Sequence, residues 1–212
     1  KPKKENTKKA EICGNLKVNH YDRIYNTVQI GTQCWLKENL DVGTVIQVSQ
    51  DQSNNGTTEK YCYDNNANNC ATYGGLYQWA EAVQYKNGAT NSTSPNPAFS
   101  GNVQGICPPG WHIPTKTEME TLTSSVSNNS NTLKAVDQGT GGGAGTNSSG
   151  FSALLAGYRD ANANGYFNNL GGFTNFWSST EGNSNDAYAM YLNYTNSDIY
   201  MAYSYKNFGF SV

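Results

Sequence analysis

Charge is scarce in this chain: 14% of its 212 residues are Asp, Glu, Lys or Arg, and the formal net charge is −2. A duplex-binding protein needs a basic footprint, so nucleic acid is not expected as a partner. Histidine is scarcer still. His20 and His112 are the only two; they form no His-x-x-x-His pair and lie near no Gly-x-Ser-x-Gly turn, so each reads as structural rather than as a ligand or a base. No run approaches the roughly 18 to 20 apolar residues that cross a bilayer, so direct membrane insertion is not expected. No hydrophobic signal core opens the chain either, which suggests a mature or trimmed form. Carboxylates are few, Ser and Thr lack a recognisable nucleophile setting, and no residue is nominated as catalytic.

The five cysteines, at 13, 34, 62, 70 and 107, contain no Cys-x-x-Cys pair, and zinc is not expected. An Asn-rich composition without clustered His points instead to an oxidising compartment, where Cys13 can reach Cys34 and Cys62 can close a short loop with Cys70. Cys107 is then left over. The chain stops at a strand-like Gly209-Phe210-Ser211-Val212, so a missing C-terminal partner for Cys107 is suspected.

What is present is organised by turns. Residues 1–12 are a basic tail, with Lys1, Lys3, Lys4, Lys8 and Lys9, and are read as flexible; residues 13–212 are read as one domain. Tyr25–Gly31 alternates with period two and ends in Gly, as a strand entering a turn does. Residues 51–58 and 87–102 are loops by composition. Leu76, Trp79, Ala80 and Val83 fall at helical spacing, which predicts a short helix over Gly75–Val83. Thr115-x-x-Glu118 is a capping box before Met119, Leu122 and Val126, so a second helix is predicted from Thr115. Residues 139–150 (GTGGGAGTNSSG) read as a flexible loop. From Phe151 onward, short apolar or aromatic runs between Gly, Asn and Asp predict a meandering antiparallel sheet.

Two segments invite a functional reading. Asp160, Asn162 and Asn164 occupy positions 1, 3 and 5 of a calcium-loop pattern with Gly165 at position 6, but position 12 is Gly171 rather than Glu. A plain hairpin turn between Tyr158 and Phe167 is the favoured reading, and calcium stays only a candidate ligand; no other cofactor is implied. The second segment is the stretch from Tyr188 to Phe208, which holds six of the fifteen tyrosines, at 188, 191, 194, 200, 203 and 205. Tyr interleaved with Asn, Ser and Thr is the composition of paratopes, because a two-torsion aromatic gives contact area at low entropic cost. It is equally the composition of a β-hairpin with high strand propensity.

Five strings, in this order along the chain, resemble a known family: Tyr25–Leu40 (YNTVQIGTQCWLKENL), Tyr73–Trp79 (YGGLYQW), Gly105–Thr115 (GICPPGWHIPT), Phe176–Glu181 (FWSSTE) and Gly209–Val212 (GFSV). They resemble the paralogous domain family first noted as abundant in Fibrobacter succinogenes, over the chain from about Cys13 to its end. The resemblance implies an α+β, C-type-lectin-like fold of the sulfatase-modifying variety, with two helices packed on a mostly antiparallel sheet and extensive loops. Members of that family usually continue Gly-Phe-Ser-Val into Arg-Cys, which would supply the partner for Cys107. Sulfatase-modifying enzymes act through cysteines near the C-terminal end of their domain. No cysteine follows Cys107 here, so no enzymatic activity is expected.

A subset of proteins with this fold are variable proteins of diversity-generating retroelements, in which adenines near the gene's end are randomised and Asn codons become codons for Tyr, Ser, Thr, Asp, Ala or Phe. The C-terminal stretch resembles such an output. Tyr188 anchors it; Ala189, Tyr191, Asn193, Thr195, Asn196, Asp198, Tyr200, Ala202, Tyr203, Ser204, Tyr205 and Phe208 belong to the reachable set, as do Met190 and Met201 from an Arg codon, whereas Leu192 and Lys206 do not. The expectation is a secreted or cell-surface monomer whose region at about 188–208 binds a protein or glycan on another cell or virus surface. Two other readings are a fixed-sequence adhesive or carbohydrate-binding module and, with less support, a polysaccharide-processing enzyme.

Overall fold

A computed structural model describes residues 12–161 and 165–212. The N-terminal lysines and the calcium candidates Asn162 and Asn164 lie outside the described residues.

The period-two pattern near the start forms a three-stranded antiparallel sheet of β1 (Lys17–His20), β2 (Arg23–Ile30) and β3 (Gln33–Leu36). Tyr25, Thr27 and Ile30 are the buried residues of β2, and a disulfide joins Cys34 in β3 to Cys13. A short parallel pair follows, β4 (Thr44–Val45) with β5 (Glu59–Lys60). Helix α1 (Ala67–Tyr73) starts at Asn66, whose side chain accepts the Asn68 amide, and a disulfide holds its Cys70 to Cys62. Cys107 is buried and unpaired, and burial pushes its thiol up to about 12.

The helix expected over Gly75–Val83 is only one turn, α2 (Trp79–Ala82). Leu76 and Tyr77 are extended: Leu76 exchanges both backbone hydrogen bonds with Tyr61, and Tyr77 does so with Phe210. The helical spacing misled because every residue from Leu76 to Val83 is buried, so the apolar set marks a core segment rather than one face of a helix. By contrast, α3 (Lys116–Ser125) begins at Thr115 with both halves of the capping box formed, and it buries Met119 and Leu122. A single turn, α4 (Ser130–Leu133), follows.

The C-terminal third forms a five-stranded sheet of β6 (Ala156–Arg159), β7 (Phe167–Leu170), β8 (Phe173–Glu181), β9 (Asp186–Asn193) and β10 (Ile199–Tyr205). Its order is β10-β9-β8-β6-β7. The β6–β7 hairpin and the β8–β9–β10 meander are antiparallel as expected, but the chain passes β6 so that β8 lies parallel to it on the side opposite β7, and the class is a mixed α+β sheet. Its two faces bury different cores. Trp177, Ala187 and Ala189 join Tyr25, Tyr77, Trp79 and Phe210 on one side; Phe176, Met190, Leu192 and Ile199 meet Met119, Leu122 and Phe151 on the other. The ending is woven into this framework: Ser211 bonds to Asn175 and Trp177 of β8, and Val212 O accepts the Leu40 amide.

The glycine-rich loop at 139–150 is packed rather than free. The Thr140 amide donates to Tyr194 O (2.8 Å) and the Thr146 amide to Asn131 O (2.7 Å). A Cβ on Gly143 would lie 2.2 Å from Tyr194 O, so glycine is what allows this close approach to the β9–β10 turn.

Candidate functional site

The Tyr-rich stretch is the hairpin β9–β10 at one edge of the large sheet, in unbroken register with Tyr191 opposite Tyr200 and Tyr188 opposite Tyr203. Because strand side chains alternate, Tyr188, Met190 and Leu192 share a face with Ile199, Met201, Tyr203 and Tyr205; Ala189, Tyr191 and Asn193 share the other with Tyr200, Ala202 and Ser204. The five tyrosines of the two strands therefore occupy both faces of one edge.

On the α3 side, Tyr188 OH donates to Tyr203 OH (2.6 Å), their ring centroids are 4.3 Å apart, and the Lys116 ammonium lies 5.1 Å from the Tyr188 ring centroid. The hydrogen bond to Tyr203 raises the pKa of Tyr188. The Tyr203 ring rests on Gly182, where a Cβ would meet it at 2.3 Å. On the opposite face, Tyr191 and Tyr200 stack at 4.5 Å and 9°, with Phe173 beside Tyr191. Tyr200 OH donates to Asp198 (2.9 Å), which raises its pKa.

Two buried lysines pin the hairpin. Lys134 donates to Asn193 O (2.7 Å) and Asn196 O (2.9 Å) in the turn, and burial lowers its pKa to about 8. Lys206 directly follows β10, bonds the Glu181 carboxylate and Ser184 O, and sits 4.3 Å from the Trp79 ring centroid. Burial lowers its pKa, opposed by Glu181. Sequence reasoning assigned Lys206 to the scaffold but missed Lys134, whose only signal is a lone Lys beside Leu133 and Ala135.

The expected contact residues divide sharply. Ala189 and Met190 are each 1% exposed, inside the two cores, so neither can touch a ligand. Asn193 and Asn196 are half-buried and spend their side-chain oxygens on the Thr195 and Asp198 amides, shaping the turn. Phe208 packs on Phe210 and Tyr158, while Met201 and Ala202 are half-buried. Tyr203 (58%), Tyr205 (60%), Thr195 and Asp198 are open to solvent, and Tyr188, Tyr191, Tyr200 and Ser204 are partly so. The expected set omitted Tyr194, which is 40% exposed beside the turn, and the flanking Lys116 and Phe173.

Other candidate chemistry is weaker. Asp160 accepts the Tyr166 amide and the Asn168 side chain within the β6–β7 hairpin. Among the described residues no cluster of three or more His, Cys, Asp or Glu side chains is placed to hold a metal. His112 accepts from the Asn102 amide and donates to Glu118, the capping-box residue, so it fastens the start of α3. A cavity of about 550 Å³ lies between β3 and α3, lined by Trp35, Trp111, Phe151, Met119 and Cys107 among others; Trp35 Nε1 and Gln33 Oε1 in its wall have no hydrogen-bond partner among the described residues.

No curated protein and no solved structure matches the chain. Residues 28–212 match the Fibrobacter succinogenes major domain, and the chain therefore belongs to that family.

Proposed function

We propose that this chain is a non-enzymatic, secreted or cell-surface binding protein that presents the β9–β10 hairpin on a C-type-lectin-like scaffold, and that the hairpin is the diversified region of a retroelement variable protein. One coincidence carries the reading. Leu192 and Lys206, the two hairpin residues outside the adenine-reachable set, are both fully buried, whereas Thr195, Asp198, Tyr203 and Tyr205 within that set are exposed. A residue that changes must not hold up the core, and a residue that holds up the core must not change. The burial of Ala189 and Met190 narrows the recognition set to Tyr188, Tyr191, Thr195, Asp198, Tyr200, Tyr203, Ser204 and Tyr205. The anchors are the tyrosine rings, and the ligand is a protein or glycan on another surface.

Sequencing the 3′ end of the gene across many individuals tests the diversification. The expected result is variation confined to the reachable positions, with a nearby near-copy differing at adenines. An invariant 3′ end without such a copy removes that claim. It would leave the fixed adhesive module, which the ring-to-ring contacts of Tyr188 with Tyr203 and Tyr191 with Tyr200 favour.

A further inference from the structure

The large sheet has two edges, and they are built differently. At the β7 edge the strand is four residues long, Asn169 takes a left-handed φ of 61°, and the Leu170 amide is met by Tyr63 OH (3.4 Å). Shortness, irregularity and cover are the ways proteins blunt a sheet edge. Among the described residues the β10 edge shows none of these. It runs seven residues, Ile199–Tyr205, in unbroken register, without charge, proline or bulge.

The direction of its backbone follows from one bond. The Lys206 amide donates to Asn185 O (2.9 Å), which makes 206 and 185 a hydrogen-bonded pair. Such pairs alternate along an antiparallel ladder, so Tyr200, Ala202 and Ser204 turn their amides and carbonyls toward β9, while Ile199, Met201 and Tyr203 turn theirs outward. Among the described residues no backbone group bonds to those outward amides and carbonyls.

We infer that this edge takes an extended, uncharged segment of the partner polypeptide as an added strand. The inference rests on the hairpin being the recognition surface. A polypeptide is the occupant because only a backbone repeats a donor and an acceptor at the spacing the edge offers. Tyrosines on both faces wall the added strand, and Ala202 and Ser204 beside Tyr200 leave room for a large apolar side chain opposite Ala202. The Lys134 and Lys206 pins hold the edge in place before binding, which reduces the ordering cost.

The test uses the intact chain and, as probe strand, a synthetic peptide with the sequence of residues 187–193, the strand that β10 already pairs with on its inner side. Hydrogen exchange read by NMR is expected to show the Met201 and Tyr203 amides slowed at least ~10-fold by the peptide. Tyr203→Pro and Tyr203→Ser both remove the ring, but only the first removes the outward amide, so it is expected to bind the peptide at least ~10-fold more weakly; an edge proline of this kind leaves the β9 ladder intact. Equal binding by the two variants, unchanged exchange, or no binding at millimolar peptide overturns the inference. Slowing that grows with protein concentration in the absence of peptide assigns the edge to a second copy and also overturns it. The broader reading is separable: a target selected on the hairpin that loses affinity equally in both variants keeps the recognition surface and discards strand addition.

Discussion

Tyr25, Tyr61 and Tyr77 send their hydroxyls into the backbone of the N-terminal half: Tyr25 OH accepts the Asp41 amide, Tyr61 OH donates to Gln50 O (2.7 Å), and Tyr77 OH accepts the Val42 amide (2.8 Å). Among the described residues the hairpin tyrosines make no such bonds; Tyr188 bonds Tyr203, and Tyr200 bonds Asp198. The same side chain is a rivet in one region and a contact surface in the other. What differs is whether the hydroxyl ties down the backbone of a segment distant in sequence.

The largest effect expected from this contrast is on stability. Tyr77→Ala should cost about 3–5 kcal/mol in urea unfolding, because it empties a fully buried ring site, whereas Tyr203→Ala should stay within about 0.5 kcal/mol. A comparable loss at Tyr203 would make the hairpin tyrosines structural and erase the contrast. A finer version keeps the rings. Tyr77→Phe strands the Val42 amide and should cost about 1–3 kcal/mol, while Tyr188→Phe, beside an exposed partner, should be nearly silent in the same assay.

The smallest effect is a pH dependence with two signs. Lys134 has a folded pKa of about 8, below its unfolded value of about 10.4, so between these values the unfolded chain holds a proton that the folded chain has released, and stability rises with pH. Tyr25, Tyr61 and Tyr77 have folded pKa values raised by burial above the unfolded value of about 10, so their contribution is present below that pH and is lost above it. Cys107, whose thiol burial raises to about 12, and Lys206, which burial lowers, act in opposite senses over the same range, so the Lys134 contribution is read as a difference between two chains. The stability of the unmutated chain relative to Lys134→Met, read from denaturation midpoints, should climb between about pH 8 and 10.4; a difference that stays flat over that window would remove Lys134 from the pH dependence.

Much of the framework was legible because it is local. The Thr115 capping box, the β2 alternation and the β6–β7 hairpin rest on residues a few positions apart, and each formed where expected. The Gly75–Val83 helix failed because its backbone partners, Tyr61 and Phe210, are distant in sequence. The crossover of β8 was hidden for the same reason: alternation specifies a strand but not its neighbour. At the hairpin, composition located the segment and codon reasoning set Leu192 and Lys206 apart, yet neither could reveal that Ala189 and Met190 point into two cores.

By itself the sequence determined that residues 188–208 are a Tyr-rich, strand-forming stretch at the end of a family domain, because residue type and motif order are written along the chain. Only the tertiary structure decided that this hairpin is a sheet edge with tyrosines on both faces, pinned by Lys134 and Lys206. Strand order and burial arise from contacts between distant segments, and no local pattern encodes them.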